Sequence, residues 1–189
     1  NKIRIINQKN SGSTAARNKG AEVANGNWLA FLDSDDYWLT NKLDEQLKLA
    51  NENDFDAVFC NGYYSKDGKK IRVLHKKEKA IKLNGVINKK VEKIFHSSSR
   101  YTISFPSCML IKKKVFFSLG CFNSELYHCG DYDIFLRAFC ENYRIGYNNK
   151  PLWFYEIGNI NSLTKNIIDH SNQMEYCWDI FFEEYIKIK

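Results

Sequence analysis

The sequence has few of the features that export a chain, embed it in a membrane or keep it unfolded. Its 189 residues contain two prolines, and no apolar run reaches the roughly 18 residues that span a bilayer. The N-terminus, NKIRIINQKNSG, lacks the apolar core of a secretory signal. Since 44% of the residues are hydrophobic and 15% are aromatic, we expect a folded cytoplasmic protein.

Metal-binding and disulfide patterns are also missing. The six cysteines form no CxxC pair and no other spacing that is typical of metal ligands. Most of them lie in apolar segments, which favours reduced, buried thiols. A chain of this length can bury a sizeable core, and no linker interrupts it, so residues 1–189 are predicted to form a single domain.

Positive charge is concentrated in one segment, bounded by Lys66 and Lys93. It contains 11 Lys or Arg against three acids, a local charge of +8 in a chain of net charge +6. Such a segment suits phosphates, an anionic membrane surface or nucleic acid, and it equally suits a solvated face. No recognised nucleic-acid motif accompanies it, so a basic nucleic-acid-binding module is the weaker alternative and peripheral membrane contact stays open.

Strand and helix signals alternate along the chain. Apolar runs predict strands at residues 3–6, 28–32, 57–64, 71–74, 103–111, 144–147 and 152–155, and the run at 28–32 is expected to be covered on both faces. Caps and periodicity predict helices at residues 13–24, from Asn41 with Leu43, Leu47 and Ala50 inside, near 87–94, and at 114–119, 131–142 and from 169 onward. This alternation indicates an α/β fold with a mostly parallel mixed sheet flanked by helices.

A carboxylate cluster follows the apolar run at 28–32. Asp33 would lie at the carboxyl end of a strand, where open α/β sheets place their ligand crevices. Asp35 is two residues further on, so an extended segment points both side chains the same way. Two carboxylates in one crevice favour a hard divalent cation, Mg²⁺ or Mn²⁺. An acidic turn in which Asp33 or Asp36 caps the next helix remains an alternative, as does a phosphatase or phosphotransferase of the haloacid dehalogenase class.

Four stretches in register resemble the family 2 glycosyltransferases of the GT-A fold. They are NSGSTAARNKG at 10–20, FLDSDDYW at 31–38, FPSCM at 105–109 with GCF at 120–122, and GDYDIFLR at 130–137. The resemblance implies inverting transfer of a sugar from a nucleotide-sugar donor, with UDP-sugars favoured, to an acceptor hydroxyl. In this family acceptors bind where the basic segment lies, so a glycan or lipid-linked acceptor is expected there, and contact with the inner membrane face stays open. The Lys- and Asn-rich composition, together with such a domain, favours bacterial surface polysaccharide or glycolipid synthesis.

The resemblance also implies roles for individual residues. Asp33 and Asp35 become the ligands of a divalent metal, Mn²⁺ or Mg²⁺, and Asp131 becomes the catalytic base, with Asp133 as a second candidate. The donor side is assigned to Asn10, Gly12, Arg17, Asn18 and Asp33. Physical chemistry supports these roles, because a diphosphate leaves well once its charge is neutralised and the acceptor hydroxyl must lose a proton.

The sequence departs from the family pattern in three places. Gly130 stands where Glu is usual, and Glu156 stands where Arg is usual in a stretch that continues to Ser162. The first two strands of the family, which form the base and ribose pocket, have no counterpart. We therefore expect an N-terminally incomplete domain with an open sheet edge. Such an edge can pair with a second copy of the chain, which predicts a homodimer. Whether a chain of this length is active stays open.

Overall fold

The structure, a computed structural model, describes residues 3–74, 85–86, 105–126 and 129–158. Within these ranges a mixed sheet is flanked by helices, as predicted. The helices predicted near 87–94 and from 169 onward lie outside the described residues, as does Ser162. No described helix combines the length and the apolar character that crossing a bilayer requires.

The described helices lie close to their predicted positions. They are α1 Gly12–Val23, α2 Lys42–Asn53, α3 Lys113–Ser118 and α4 Gly130–Cys140, with a 3-10 helix at Pro106–Cys108. The strand predicted at 3–6 is wrong, because these residues form no regular structure, and Ile3 and Ile5 are 81% and 82% exposed. No described strand pairs with this segment to satisfy its backbone.

The described strands form one sheet. They are β1 Trp28–Ala30, β2 Tyr37–Trp38, β3 Ala57–Lys66, β4 Lys69–Val73, β5 Gly85–Val86, β6 Leu110–Lys112 and β7 Ile145–Glu156. The order is β1-β6-β3-β7-β2, with β4 beside β3 and β5 beside β7. The sheet is mixed as predicted, but "mostly parallel" is wrong for the described residues.

Only the β3–β7 pair is parallel in the described part of the chain. Connection length explains the difference. The turn at Asp67 and Gly68 is too short for anything but an antiparallel β3–β4 hairpin. Between β3 and β7, a long crossover that includes α3 and α4 allows parallel pairing.

Two further strand predictions change at their ends. The run at 28–32 forms a strand only over Trp28–Ala30, and Leu32 is 49% exposed. Within β1, Leu29 is buried in the main cluster, and Trp28, which packs against the second cluster, and Ala30 are half-buried, so the expected cover on both faces is only partial. Of the strand predicted at 103–111, the described residues form a strand only from Leu110, after the 3-10 helix, since Pro106 cannot donate to a sheet ladder.

The core lies on both faces of β3. Ala57 and Phe59 belong to the main hydrophobic cluster, where Phe59 packs edge-on against Phe135 of α4 with centroids 5.4 Å apart. Val58 points to the other face and packs with Ala50 of α2. The sheet is thus a rigid central layer, and its neighbouring helices carry the residues of the candidate site.

Candidate active site

The acidic loop, residues 33–36, connects β1 to β2. The N–H of Asp36 donates to the carbonyl of Asp33 at 3.1 Å, which closes the loop into a turn. The N–H of Asp33 donates to Oγ of Ser107 at 3.1 Å, and the carboxylate of Asp36 accepts the N–H of Glu156 at 3.2 Å. Asp35 lies between these two anchored residues and is exposed. The turn therefore presents Asp35 to solvent.

Asp36 is half-buried in the loop. Burial raises the pKa of its carboxyl from 3.8 to about 7, and the hydrogen bonds from Ser107 and from the Glu156 N–H oppose that rise. The negative charges of Asp33 and Asp35 add to it. Asp36 therefore has the character of an internal carboxyl group that anchors the loop to β7.

Arg17 of α1 reaches the acidic loop. Its Nε and Nη2 both donate to Oδ1 of Asp33, at 3.2 and 2.5 Å, and its Nη1 donates to Oγ of Ser13 one helical turn earlier at 3.3 Å. Both members of the ion pair are only partly exposed, so water screens the pair less than at an open surface. The structure thus joins two stretches that the sequence could only place in order.

Asp131 is the second residue of α4 and shares the electrostatic environment of Arg17 and Asp33. Burial raises the pKa of Asp131 from 3.8 to about 7, the positive charge of Arg17 opposes the rise, and the negative charge of Asp33 adds to it. A carboxylate whose pKa lies near neutral pH is suited to accept a proton in a reaction. Asp33 and Asp131, 98 residues apart in sequence, are thus both acted on by the charge of one guanidinium, Asp33 through a direct ion pair and Asp131 through its pKa.

Asp133, the second candidate for the base, has a different environment. Its Oδ2 accepts hydrogen bonds from Nε and Nη2 of Arg137, at 3.0 and 2.5 Å, one turn along α4. Arg137 also donates to the carbonyls of Leu119 and Cys121. Asp133 therefore holds Arg137, which in turn fixes the chain after α3 against α4. With its carboxylate engaged in this ion pair, Asp133 is less suited than Asp131 to accept a proton.

The other donor-side residues fall into two groups. Asn10 accepts the N–H of Gly12 through its side-chain oxygen at 3.1 Å, and Gly12 has φ +85°, a conformation that suits glycine. Asn18 accepts the N–H of Phe122 at 3.1 Å and donates to its carbonyl at 2.9 Å. The first pair shapes the start of α1, and Asn18 binds α1 to the chain after α3.

Among the described residues, no three Asp, Glu, His or Cys side chains are grouped as a ready-made metal site. In nucleotide sites, Mg²⁺ typically uses one or two carboxylates, and phosphates and water supply the remaining ligands. Asp35 is exposed in the loop next to Asp33, whose carboxylate pairs with Arg17. The oxygen donors present are thus compatible with a metal held largely by a bound diphosphate.

Two residues of this region had no predicted role. Ser107 lies in the quoted stretch FPSCM, and only the tertiary structure shows that it contacts the acidic loop. The side chain of Glu156, where Arg is usual, accepts hydrogen bonds from Oγ of Ser65 at 2.5 Å and from the Gly68 N–H at 3.4 Å. Glu156 therefore links the acidic loop to the β3–β4 hairpin, and its departure from the family pattern was the one available signal.

Known proteins resemble this chain in sequence and in fold. The model described as glycosyl transferase family 2 matches residues 1–119. An uncharacterised glycosyltransferase of Methanocaldococcus jannaschii is 30% identical over 158 residues, which cover 83% of this chain and 51% of that protein. A UDP-Glc:alpha-D-GlcNAc-diphosphoundecaprenol beta-1,3-glucosyltransferase of Escherichia coli is 41% identical over 67 residues, which cover 34% of this chain and 27% of that protein.

The fold is also found among solved structures. The crystal structure of S. aureus TarS 1-349 in complex with UDP-GlcNAc matches with a TM-score of 0.66 at 17% identity, over 91% of this chain and 47% of that chain. At this identity the likeness shows the fold alone. The chain spans about half the length of the M. jannaschii relative. Because the family model matches more than half of its residues, the chain belongs to glycosyl transferase family 2.

Proposed function

We propose that this member of glycosyl transferase family 2 transfers a sugar, with inversion, from a nucleoside-diphosphate sugar to an acceptor hydroxyl. The observation that carries the proposal is the electrostatic coupling of Asp131, a carboxyl group with a pKa of about 7, to the ion pair between Arg17 and Asp33 of the acidic loop. UDP-sugars are the favoured donors, because TarS binds UDP-GlcNAc and the E. coli relative is named for UDP-Glc. The family membership leaves the phosphatase alternative without support.

Asp131 is the proposed base. Its carboxylate takes the proton of the acceptor hydroxyl while the acceptor oxygen forms a bond to the anomeric carbon. The bond between that carbon and the diphosphate oxygen breaks, and its electron pair leaves with the nucleoside diphosphate. Because a metal-neutralised diphosphate is a good leaving group, no protein acid is needed at that oxygen.

The acidic loop is the proposed site for the diphosphate. Asp35, with Asp33 beside it, would hold Mg²⁺ or Mn²⁺, which supplies charge neutralisation for the diphosphate when it is bound. Arg17 orients Asp33 and limits the rise in the pKa of Asp131. Asn10, Gly12 and Asn18 belong to the donor side in this proposal, because they shape and anchor the helix that carries Arg17.

The proposed acceptor is a glycan or a lipid-linked saccharide of polysaccharide or glycolipid synthesis. The name of the E. coli relative supports a diphosphate-linked lipid acceptor. In addition, Glu156 connects the acidic loop to a hairpin whose exposed residues include Lys69, Lys70 and Arg72. Cations at this position suit an acceptor diphosphate or an anionic membrane surface, so peripheral contact at the cytoplasmic membrane face is part of the proposal.

A homodimer is also proposed. Among the described residues, the outer edge of β1 has no neighbouring strand, and an open edge is a template for pairing with a second chain. Light scattering tests it directly, since a monomer at micromolar concentration would contradict it.

Calorimetric titration tests the donor site. UDP, UDP-Glc and UDP-GlcNAc are titrated into the chain with and without Mn²⁺, and then into Asp35→Ala, Asp131→Asn and Asp44→Ala. We expect metal-dependent binding to the unaltered chain and to Asp44→Ala, which removes an exposed aspartate of α2, and at least tenfold weaker binding to Asp35→Ala. Asp131→Asn should bind the donor and transfer no sugar.

Two results would contradict the proposal. If no nucleotide binds with any metal, the proposed donor site is wrong. If Asp131→Asn transfers sugar to an acceptor as fast as the unaltered chain, Asp131 is not the base, whereas the proposal for the donor site is unaffected.

A further inference from the structure

Ser107 has no exposed surface, and it contacts the acidic loop through its hydroxyl and β2 through its carbonyl. Its Oγ accepts the N–H of Asp33 at 3.1 Å, and the same hydroxyl hydrogen-bonds the carboxyl group of Asp36. Its carbonyl accepts the indole N–H of Trp38 at 2.8 Å. One residue from another element therefore binds the first and last residues of the loop and Trp38 of β2.

The position of Ser107 is itself fixed. The N–H groups of Cys108 and Met109 donate to the carbonyls of Phe105 and Pro106, both at 3.1 Å, which forms the 3-10 turn. The side-chain amide of Gln46, on α2, then donates to the carbonyl of Cys108 at 2.8 Å. Because the turn is hydrogen-bonded internally and to α2, it is a rigid support for the loop.

We infer that Ser107 is a positioning residue whose hydroxyl holds the acidic loop in the turn that presents Asp35 to the donor diphosphate. The inference rests on the proposed function, since it requires a diphosphate at Asp35. Asp35 lies between Asp33 and Asp36, the two residues that the hydroxyl contacts. Without that hydroxyl, the turn closed by the Asp36 N–H loses two of its supports, and ordering it again costs binding free energy.

A double-mutant cycle tests whether Ser107 acts through Asp35. UDP is titrated with Mn²⁺ into the unaltered chain, Ser107→Ala, Asp35→Asn and the double variant. We expect Ser107→Ala to weaken UDP binding about tenfold in the unaltered background and less than about twofold in the Asp35→Asn background, because coupled residues are not additive. Unchanged binding by Ser107→Ala, or the same tenfold loss in both backgrounds, would overturn the inference.

Ser65→Ala is the matched control. Ser65 is also fully buried and its hydroxyl also bonds a carboxylate, that of Glu156, but its recorded hydrogen bonds go to Tyr155 and Glu156 of β7 and not to residues 33–36. We expect Ser65→Ala to lose stability like Ser107→Ala and to keep its UDP affinity within about twofold. An equal loss of UDP affinity in both variants would show a general structural effect and overturn the positioning role.

Hydrogen exchange separates failure of this inference from failure of the proposed function, because it needs no nucleotide. The Asp36 amide donates to Asp33 within the turn, so its exchange rate reports the loop conformation. We expect this amide to exchange at least tenfold faster in Ser107→Ala than in Ser65→Ala, while amides of α2 are unchanged. If the unaltered chain binds no UDP, the proposed function fails, and an unchanged Asp36 exchange rate overturns the role of Ser107 in holding the loop.

Discussion

The guanidinium of Arg17 donates from both Nε and Nη2 to Oδ1 of Asp33, which joins α1 to the loop after β1. The positive charge of this pair also acts on Asp131, where it opposes the rise in pKa that burial causes. A single arginine thus lowers the pKa of the proposed base, against the larger effect of burial, while it orients an acidic residue of the proposed donor site. The two effects are separable by experiment.

Arg17→Gln is expected to raise the pKa of Asp131 further above 7, because the charge that opposes the rise is removed. The carboxyl resonance of Asp131, followed by NMR from pH 5 to pH 9, measures this directly. If Asp131 is the base, transfer at pH 7 should fall about threefold or more and recover at higher pH. Arg17→Lys, which keeps the charge, should titrate close to the unaltered chain, and identical titration in all three proteins would contradict the prediction.

Stability should fall as pH rises because of Asp36. Burial raises its pKa from 3.8 to about 7, so between about pH 4 and pH 7 the folded state holds a proton that the unfolded state has released. The stabilisation is complete below pH 4 and is lost as pH rises through 7. Asp36→Asn cannot ionise and therefore avoids this loss. Its free energy of unfolding relative to that of the unaltered chain, measured by urea denaturation, should rise by about 1 to 3 kcal/mol as the pH goes from 5 to 8.

Asp44→Asn is the control for this pH effect, since Asp44 is exposed on α2. Its pH dependence should match that of the unaltered chain. If the stability of Asp36→Asn changed with pH as steeply as that of the unaltered chain, Asp36 would not be the source of the effect.

The helix α2 shows what hydrophobic periodicity can and cannot predict. The spacing of Leu43, Leu47 and Ala50 correctly predicted a helix, but the residues buried on it are Lys42, Gln46 and Ala50, and Leu43 is 37% exposed. Periodicity assumes that the inner face is apolar. Here the buried polar groups are hydrogen-bonded to each other and to the sheet, which no local pattern reveals.

The positions of the candidate residues on strands and helices were predictable from the sequence, and their contacts were not. Asp33 follows a strand, and Asp131 begins a helix, as their local signals indicated. The ion pair of Arg17 with Asp33 and the contact of Ser107 with the loop depend on pairings between distant segments, such as β1 with β6. Strand order and the antiparallel register of that pair are set by the whole sheet, so the sequence alone could not supply them.

Gln46 is expected to be important for stability. It is fully buried, its Nε2 donates to the carbonyls of Val58 and Cys108, both at 2.8 Å, and its Oε1 accepts Nζ of Lys42 at 2.7 Å. Gln46→Leu removes these bonds and leaves the buried ammonium of Lys42 without its amide partner, which should cost about 3 kcal/mol in urea denaturation. Asn51→Ala, on the exposed side of α2, should change stability by less than about 0.5 kcal/mol.

Two glycines should respond to alanine in opposite directions. A Cβ at Gly146 of β7 would lie 2.3 Å from Cδ2 of Phe55, which is fully buried, whereas a Cβ at Gly20 of α1 would meet nothing within 4 Å. We expect Gly146→Ala to destabilise the fold by about 2 kcal/mol through overpacking. Gly20→Ala should stabilise it by about 0.5 to 1 kcal/mol, since alanine is the better helix former.

The clash with Phe55 predicts a specific coupling. Phe55→Leu alone removes buried ring atoms and should destabilise the fold, but it also makes room for a methyl group at position 146. The double variant Gly146→Ala, Phe55→Leu should therefore lose at least about 0.5 kcal/mol less than the sum of the two single variants in urea denaturation. Strict additivity would show that the cost at Gly146 comes from the strand backbone and not from contact with the ring.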